Sequence, residues 1–303
     1  MAVNIQARFE DALAAFVDKI KPDPNVRAVI VMGSLANDVV WEKSDIDLTV
    51  LLREVKQPIR SFCVEEDGII INVNLVAEFD FKRYMERSVG AGGMLSFYAK
   101  SRVAFTKDEQ ITKKLEDFQH MGADDRALSF FQCATYLVGD MEKIEKWLTV
   151  KDDPLYTQSW ILRAADMYAN MRLLLDGKPM SREAVLKVME YDPAPMQRLY
   201  VRPLSGPMTR EELWDALHFI KQLLVDNVAL LKQPVASYMS DNEPRTVTAL
   251  SKHFGMDSHG IYHVFDFLEE MGVIARVTEY TRITPKSRDV MEEVAFIYIG
   301  ERG

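Results

Sequence analysis

Apolar positions recur along this chain with two different periods, and the change of period divides it. Ile5, Phe9, Leu13, Phe16, Val17 and Ile20 stand three or four apart, which predicts a helix with one buried face, closed by Pro22 and Pro24. Val26 to Met32 is a short run rich in valine and isoleucine, suited to a buried strand that stops at Gly33. Asp45 to Leu52 alternates and then turns apolar, as a second strand would. Ile59 to Glu65 and Ile69 to Val76 flank Asp67-Gly68, a dipeptide suited to the positive-φ positions of a tight hairpin.

From about residue 107 the strand signal gives way to helical spacing. Phe130, Ala134, Leu137, Met141, Ile144 and Leu148 form one stripe, and Ile161, Ala164, Ala165, Tyr168, Met171 and Leu175 a second. Leu213, Leu217, Ile220, Leu224 and Leu231 form a third, and breaks are expected near Pro154, Gly177 to Pro179, and Pro203 to Pro207. After Pro234 and the stretch Asp241 to Pro244, two short helices are expected, Val247 to Phe254 and Ile261 to Met271. A ribbon of Val273 to Thr278 against Tyr280 to Thr284 follows, an order that resembles a winged helix. The fold class expected is α+β: a mixed sheet with helices over 1–106, a helical bundle over 107–236 and a winged-helix-like module over 237–303.

Composition narrows the chemistry. With 303 residues, 48% of them hydrophobic, the chain can bury more than one core. The N-terminal segment carries Arg8, Glu10, Asp11, Asp18 and Lys19 and reads as neither a signal nor a transit peptide, and no apolar stretch approaches the roughly 20 residues of a membrane span. A cytoplasmic location is the expectation. Cys63 and Cys133, far apart and without a second ligand pair, read as core thiols. The net charge of −9 disfavours general attraction to polyanions, so any contact with nucleic acid must be local.

The informative segment is Gly33-Ser34-Leu35-Ala36 followed by Ser44-Asp45-Ile46-Asp47-Leu48. Side chains two apart on a strand share a face, so Asp45 and Asp47 project together while Ile46 packs into the other side. Two carboxylates held close repel unless a cation lies between them, and such oxygens suit Mg²⁺ shared with phosphates. Gly33 and the Ser34 hydroxyl could cradle a phosphate, reinforced if Leu35 to Val40 runs on as a helix.

Strand, Gly-Ser turn, intervening loop and Asp-x-Asp together resemble the nucleotidyltransferase superfamily related to DNA polymerase beta. The resemblance covers about residues 26 to 80 and implies Mg²⁺-dependent transfer of a nucleoside monophosphate from a nucleoside triphosphate to a hydroxyl acceptor. On that resemblance Asp45 and Asp47 are metal ligands, and Gly33 and Ser34 hold phosphates. Lys43, close to the acidic pair in sequence, is a further candidate nucleotide contact. The superfamily also carries a third carboxylate on a later strand; the matching segment here is Val73-Asn74-Leu75-Val76, with neutral Asn74 in its place. A register one pleat earlier would offer Asn72, also an amide. Glu78 and Asp80 share the strand parity, but Glu78 would sit roughly 13 Å farther along. The alternative is an inactive nucleotide- or ligand-binding regulator acting through its winged helix.

The stretch Asn170 to Val185 resembles the helical substrate-binding partner of aminoglycoside nucleotidyltransferases, which would make Asp166, Tyr168 and Arg172 candidate acceptor contacts. In the C-terminal module DNA is a possible partner, with Ser258 to Met271 offered to a groove. Against that, Pro244 to Asp289 balances six basic residues with six acidic ones. His259 and His263, four apart, form half of a metal site and read first as partly exposed polar residues.

Overall fold

The computed structural model describes residues 5–36, 39–56, 59–87, 101–119, 123–284 and 286–300. It divides into two compact units, Met1–Met121 and Gly122–Gly303. The helical middle and the C-terminal module thus fall in one unit, and the helix after residue 107 in the other.

The first unit is a five-stranded mixed sheet. Its elements are α1 (Ile5–Ile20), β1 (Val26–Met32), a four-residue turn of helix α2 (Gly33–Ala36), β2 (Ile46–Leu52), β3 (Ser61–Glu66), β4 (Ile69–Ala77), α3 (Glu78–Arg87), β5 (Arg102–Thr106) and α4 (Glu109–Gln119). The strand order is β3-β4-β2-β1-β5, with β2 and β4 parallel and the other neighbours antiparallel. The β3–β4 hairpin turns at Asp67 and Gly68, both at positive φ, as that dipeptide allows.

Period-two alternation gives the sheet two buried faces. Val29, Val31, Leu48, Val50, Ile71 and Val73 meet the stripe Phe9, Leu13 and Val17 of α1. Ala28, Ile30, Met32 and Leu51 turn the other way and are covered by Phe81 of α3 and by Ile111 and Leu115 of α4. Asp47 lies opposite Met32 and Asn72 opposite Asp47, so both belong to this second face, at an end that remains half-exposed.

The second unit opens with the long helices α5 (Ala123–Thr149) and α6 (Pro154–Leu175), then α7 (Ala184–Tyr191). An irregular stretch follows, helical at Pro193–Met196 and Arg202–Leu204 with a π turn at Gln197–Val201 between. α8 (Arg210–Asp226) begins with a capping box in which Thr209 and Glu212 exchange side-chain and backbone hydrogen bonds. α9 (Val228–Tyr238) contains Pro234. The sequence placed a junction at that proline; burial of Leu231 and Val235, one on each side, outweighs the hydrogen bond it cannot donate.

The C-terminal segment is β6 (Arg245–Thr246), α10 (Val247–Phe254), α11 (Ser258–Glu270), β7 (Ile274–Thr281) and β8 (Met291–Tyr298), with strand order β6-β8-β7. The second ribbon strand is therefore Met291–Tyr298 and not Tyr280 to Thr284. Alternation in β7 continues to Thr281, and Ala295 and Phe296 of β8 supply the buried positions. α11 packs on α5 as well as on its own module: Gly260 sits against Thr135, where an added Cβ would come within 3.4 Å. No described helix is long and apolar enough to cross a membrane.

Candidate active site

Three elements of the first unit converge on the acidic pair. The loop before β2 is pinned by a reciprocal turn, Ser44 N–H to the Trp41 carbonyl at 2.9 Å and Trp41 N–H to Ser44 Oγ at 3.0 Å. Asp45 follows that turn directly, and Ile46 is fully buried in the α1-side core. Burying Ile46 turns the flanking Asp45 and Asp47 to the opposite side, as strand parity requires.

Both carboxylates accept from one amide. Asn72 Nδ2 donates to Asp45 Oδ2 at 2.6 Å and to Asp47 Oδ1 at 3.2 Å. The parallel pairing of β2 with β4 sets Asp47 beside Asn72 and Thr49 beside Asn74. Asn74, expected from the sequence at the place of the third carboxylate, is exposed one pleat away, across from Ser61. Asn72 is the amide at the acidic pair. Glu78, the other substitute considered, opens α3 and is bound by Arg27 at 2.8 Å and Lys82 at 2.5 Å. Burial favours its neutral form, yet the hydrogen bonds from Lys82 and Arg27 prevail and hold its pKa below the ordinary value.

Gly33 closes the third side. Its φ is +68°, and a Cβ built on it would lie 2.6 Å from Asp47 Oδ2. Glycine is thus required twice, for the left-handed backbone and for the carboxylate lying against it. The carboxylate-side requirement is a tertiary one, invisible in the spacing that suggested a phosphate cradle. Ser34 is half-exposed in α2, and its carbonyl accepts from Val39 N–H at 3.0 Å. The described helical turn ends at Ala36, shorter than the Leu35 to Val40 expectation; Asn37 and Asp38 lie outside the described residues. Exposed Lys43 carries its ammonium 5.9 Å above the Trp41 ring.

The donor set is two carboxylates and one amide. Among the described residues no group of three or more His, Cys, Asp or Glu side chains is arranged to hold a metal ion. Hard oxygen ligands in so small a number suit Mg²⁺, which keeps waters and shares phosphate oxygens instead of demanding a protein cage.

The other sequence candidates lie in the second unit, except Cys63, which stands across from Asn72 on β3. Tyr168 is buried and stacked on Phe219 at 5.4 Å, Arg172 reaches Asp192 at 3.1 Å, and Asp166 accepts from Asn170 at 3.4 Å. Cys133 is buried, which pushes its thiol up to about 12, but Cys63 is exposed and not a core thiol. In α11, Asp266 and Glu269 bind Arg276, so that cation of the neighbouring strand is already paired with the helix's own acids.

Residues 16–110 match the family described as Polymerase beta, Nucleotidyltransferase. Among solved structures, a nucleotidyltransferase-like protein from Exiguobacterium sibiricum 255-15 is similar at 15% identity with a TM-score of 0.66, over 96% of this chain and 99% of that one. At that identity the likeness speaks to the fold. Spectinomycin adenyltransferase from Enterococcus faecialis, solved with ATP and spectinomycin, aligns at 13% identity over 72% of this chain and 98% of that one. Its TM-score of 0.35 is too low to bear on the fold. No curated protein matches the chain. The family match spans the glycine turn and both aspartates, together with the mixed sheet that carries them, so that residues 16–110 are similar to the polymerase beta-type nucleotidyltransferases.

Proposed function

We propose that the first unit binds a nucleoside triphosphate with Mg²⁺ and transfers its nucleoside monophosphate to a hydroxyl acceptor. The observation that carries this reading is the meeting of Asp45 and Asp47 at a single amide, against a glycine shaped to admit one of them. Asp45 and Asp47 are the metal ligands. Gly33 and Ser34 border the phosphates, and Lys43 is a candidate for further charge neutralisation. The metal, when bound, withdraws charge from the phosphates and favours departure of pyrophosphate. In the transfer, the acceptor oxygen forms a bond to the α-phosphorus, the bond to the β-phosphate bridge breaks, and the acceptor proton leaves to water or to a carboxylate.

Asn72 plays two parts in this scheme. Its NH₂ lies between two like charges and offsets part of their repulsion in the metal-free chain. Rotation of the amide presents Oδ1 instead, a neutral third oxygen for the cation. An amide cannot serve as general base, and that observation favours a second reading, nucleotide binding with slow or no turnover.

Calorimetry with ATP and Mg²⁺ tests the binding step: Asp45→Ala and Asp47→Ala should each abolish metal-dependent binding. α-Labelled nucleotide incubated with a cell extract separates the readings. Label carried onto an acceptor supports transfer, whereas tight binding without label transfer supports the second reading.

A further inference from the structure

On α11, His259 and His263 stand one turn apart, and their Nε2 atoms face each other at 3.4 Å. Nδ1 of His263 is in contact with the Glu142 carboxylate of α5, a residue 121 positions earlier in the chain. That contact selects the tautomer of the neutral ring. With Nδ1–H donated to a carboxylate, Nε2 of the neutral imidazole holds a lone pair and points it at His259. Two nitrogens bound to one tetrahedral ion at about 2.0–2.1 Å stand roughly 3.4 Å apart, so the pair already has the separation a shared cation needs.

We propose that His259 and His263 bind a borderline-soft divalent cation, with Zn²⁺ as the reference ion. Glu142 orients His263 as carboxylates do behind metal-ligating imidazoles. The electrostatics agree with this assignment. Beside His263 lies a cleft of about 160 Å³ lined by Glu142, Glu145, Asp266 and Glu270. Lys221 is the one lysine or arginine among the described lining residues and is paired with Glu270 at 3.2 Å, while Arg276, outside the lining, binds Asp266; Glu145 and Glu142 carry the remaining negative charge. His259 is exposed and open to solvent, whereas His263 is 13% exposed and held in place. Two protein ligands leave the remaining positions to water, which makes this an exchangeable site and not a structural one. Imidazole nitrogens in the second unit also distinguish it from the oxygen set of Asp45 and Asp47, so neither assignment depends on the other.

Zn²⁺ titration of the untagged full-length chain by calorimetry, in millimolar Mg²⁺ to occupy oxygen sites, tests the proposal. One Zn²⁺ per chain is expected. His259→Gln, an exposed substitution that leaves the packing intact, should weaken binding at least 10-fold. Glu142→Gln should weaken it about 10–100-fold while both histidines remain. Asp45→Asn should leave it unchanged. Absence of Zn²⁺ binding, binding indifferent to His259→Gln, or loss of binding in Asp45→Asn would each overturn the site.

Discussion

Replacing Gly33 with alanine should damage the acidic pair in two separable ways. At φ +68° an alanine backbone costs about 1–2 kcal/mol, as left-handed conformations do for residues with a Cβ. The added carbon would also stand 2.6 Å from Asp47 Oδ2, so the carboxylate must retreat by roughly 0.8 Å to reach ordinary contact. Metal–oxygen distances tolerate only about 0.2 Å, so the displacement is several times what a bound ion accepts. The expected loss in Mg²⁺-dependent ATP affinity is at least about 10-fold, or roughly 1.4 kcal/mol. Strain should lower the melting temperature of the first unit by about 4–8 °C. Gly68→Ala isolates the backbone strain: φ there is +77° and nothing lies within 4 Å of the added carbon. It should cost similar stability and leave nucleotide affinity intact. Calorimetry and thermal melts on the two variants make the comparison. Equal affinities in both would refute the claim that Asp47, seated on Gly33, holds the metal.

The remaining expectations concern the amide, a buried acid and a helix cap. Asn72→Asp should raise turnover at least about 10-fold by restoring a base, while Asn74→Asp, one pleat away, should not; equal effects in a labelled-nucleotide assay would refute the observed register. Burial pushes Asp140 up to about 6 despite Arg163 at 3.2 Å. The folded chain therefore holds a proton that the unfolded chain has released, and stability falls as pH rises from about 4 through 6. Asp140→Asn should gain about 1–3 kcal/mol at pH 8 and almost nothing at pH 4, as urea denaturation would show. Thr209→Ala removes the hydroxyl of the capping box and should cost about 1 kcal/mol in the same assay; no change would mean that Arg202 and Glu212 hold that end of α8 without it.

What could be read from the sequence was local. The α1 stripe, the Asp67-Gly68 turn and the shared face of Asp45 and Asp47 follow from spacings of two to four residues, and the structure has all three. Asn72 and Asn74 have the same parity, so parity could not choose between them; the choice depends on how β4 slides along β2, a contact 25 residues away. Ile71 and Val73, both buried in the α1-side core, bracket Asn72 and were the available signal. The late position of β8 likewise depends on pairing across a nine-residue gap. Pro234 misled because a local rule about helix breaking is weaker than the burial of Leu231 and Val235. Glu142 had no signal at all, since its histidine partner lies on another helix.

The most direct test of the central claim is anomalous diffraction from crystals of the chain grown with Mn²⁺ and a non-hydrolysable ATP analogue. The account predicts a manganese peak about 2.2 Å from a carboxylate oxygen of each of Asp45 and Asp47, with the phosphates beside Gly33 and Ser34. A well-ordered nucleotide whose manganese touches neither aspartate would contradict it.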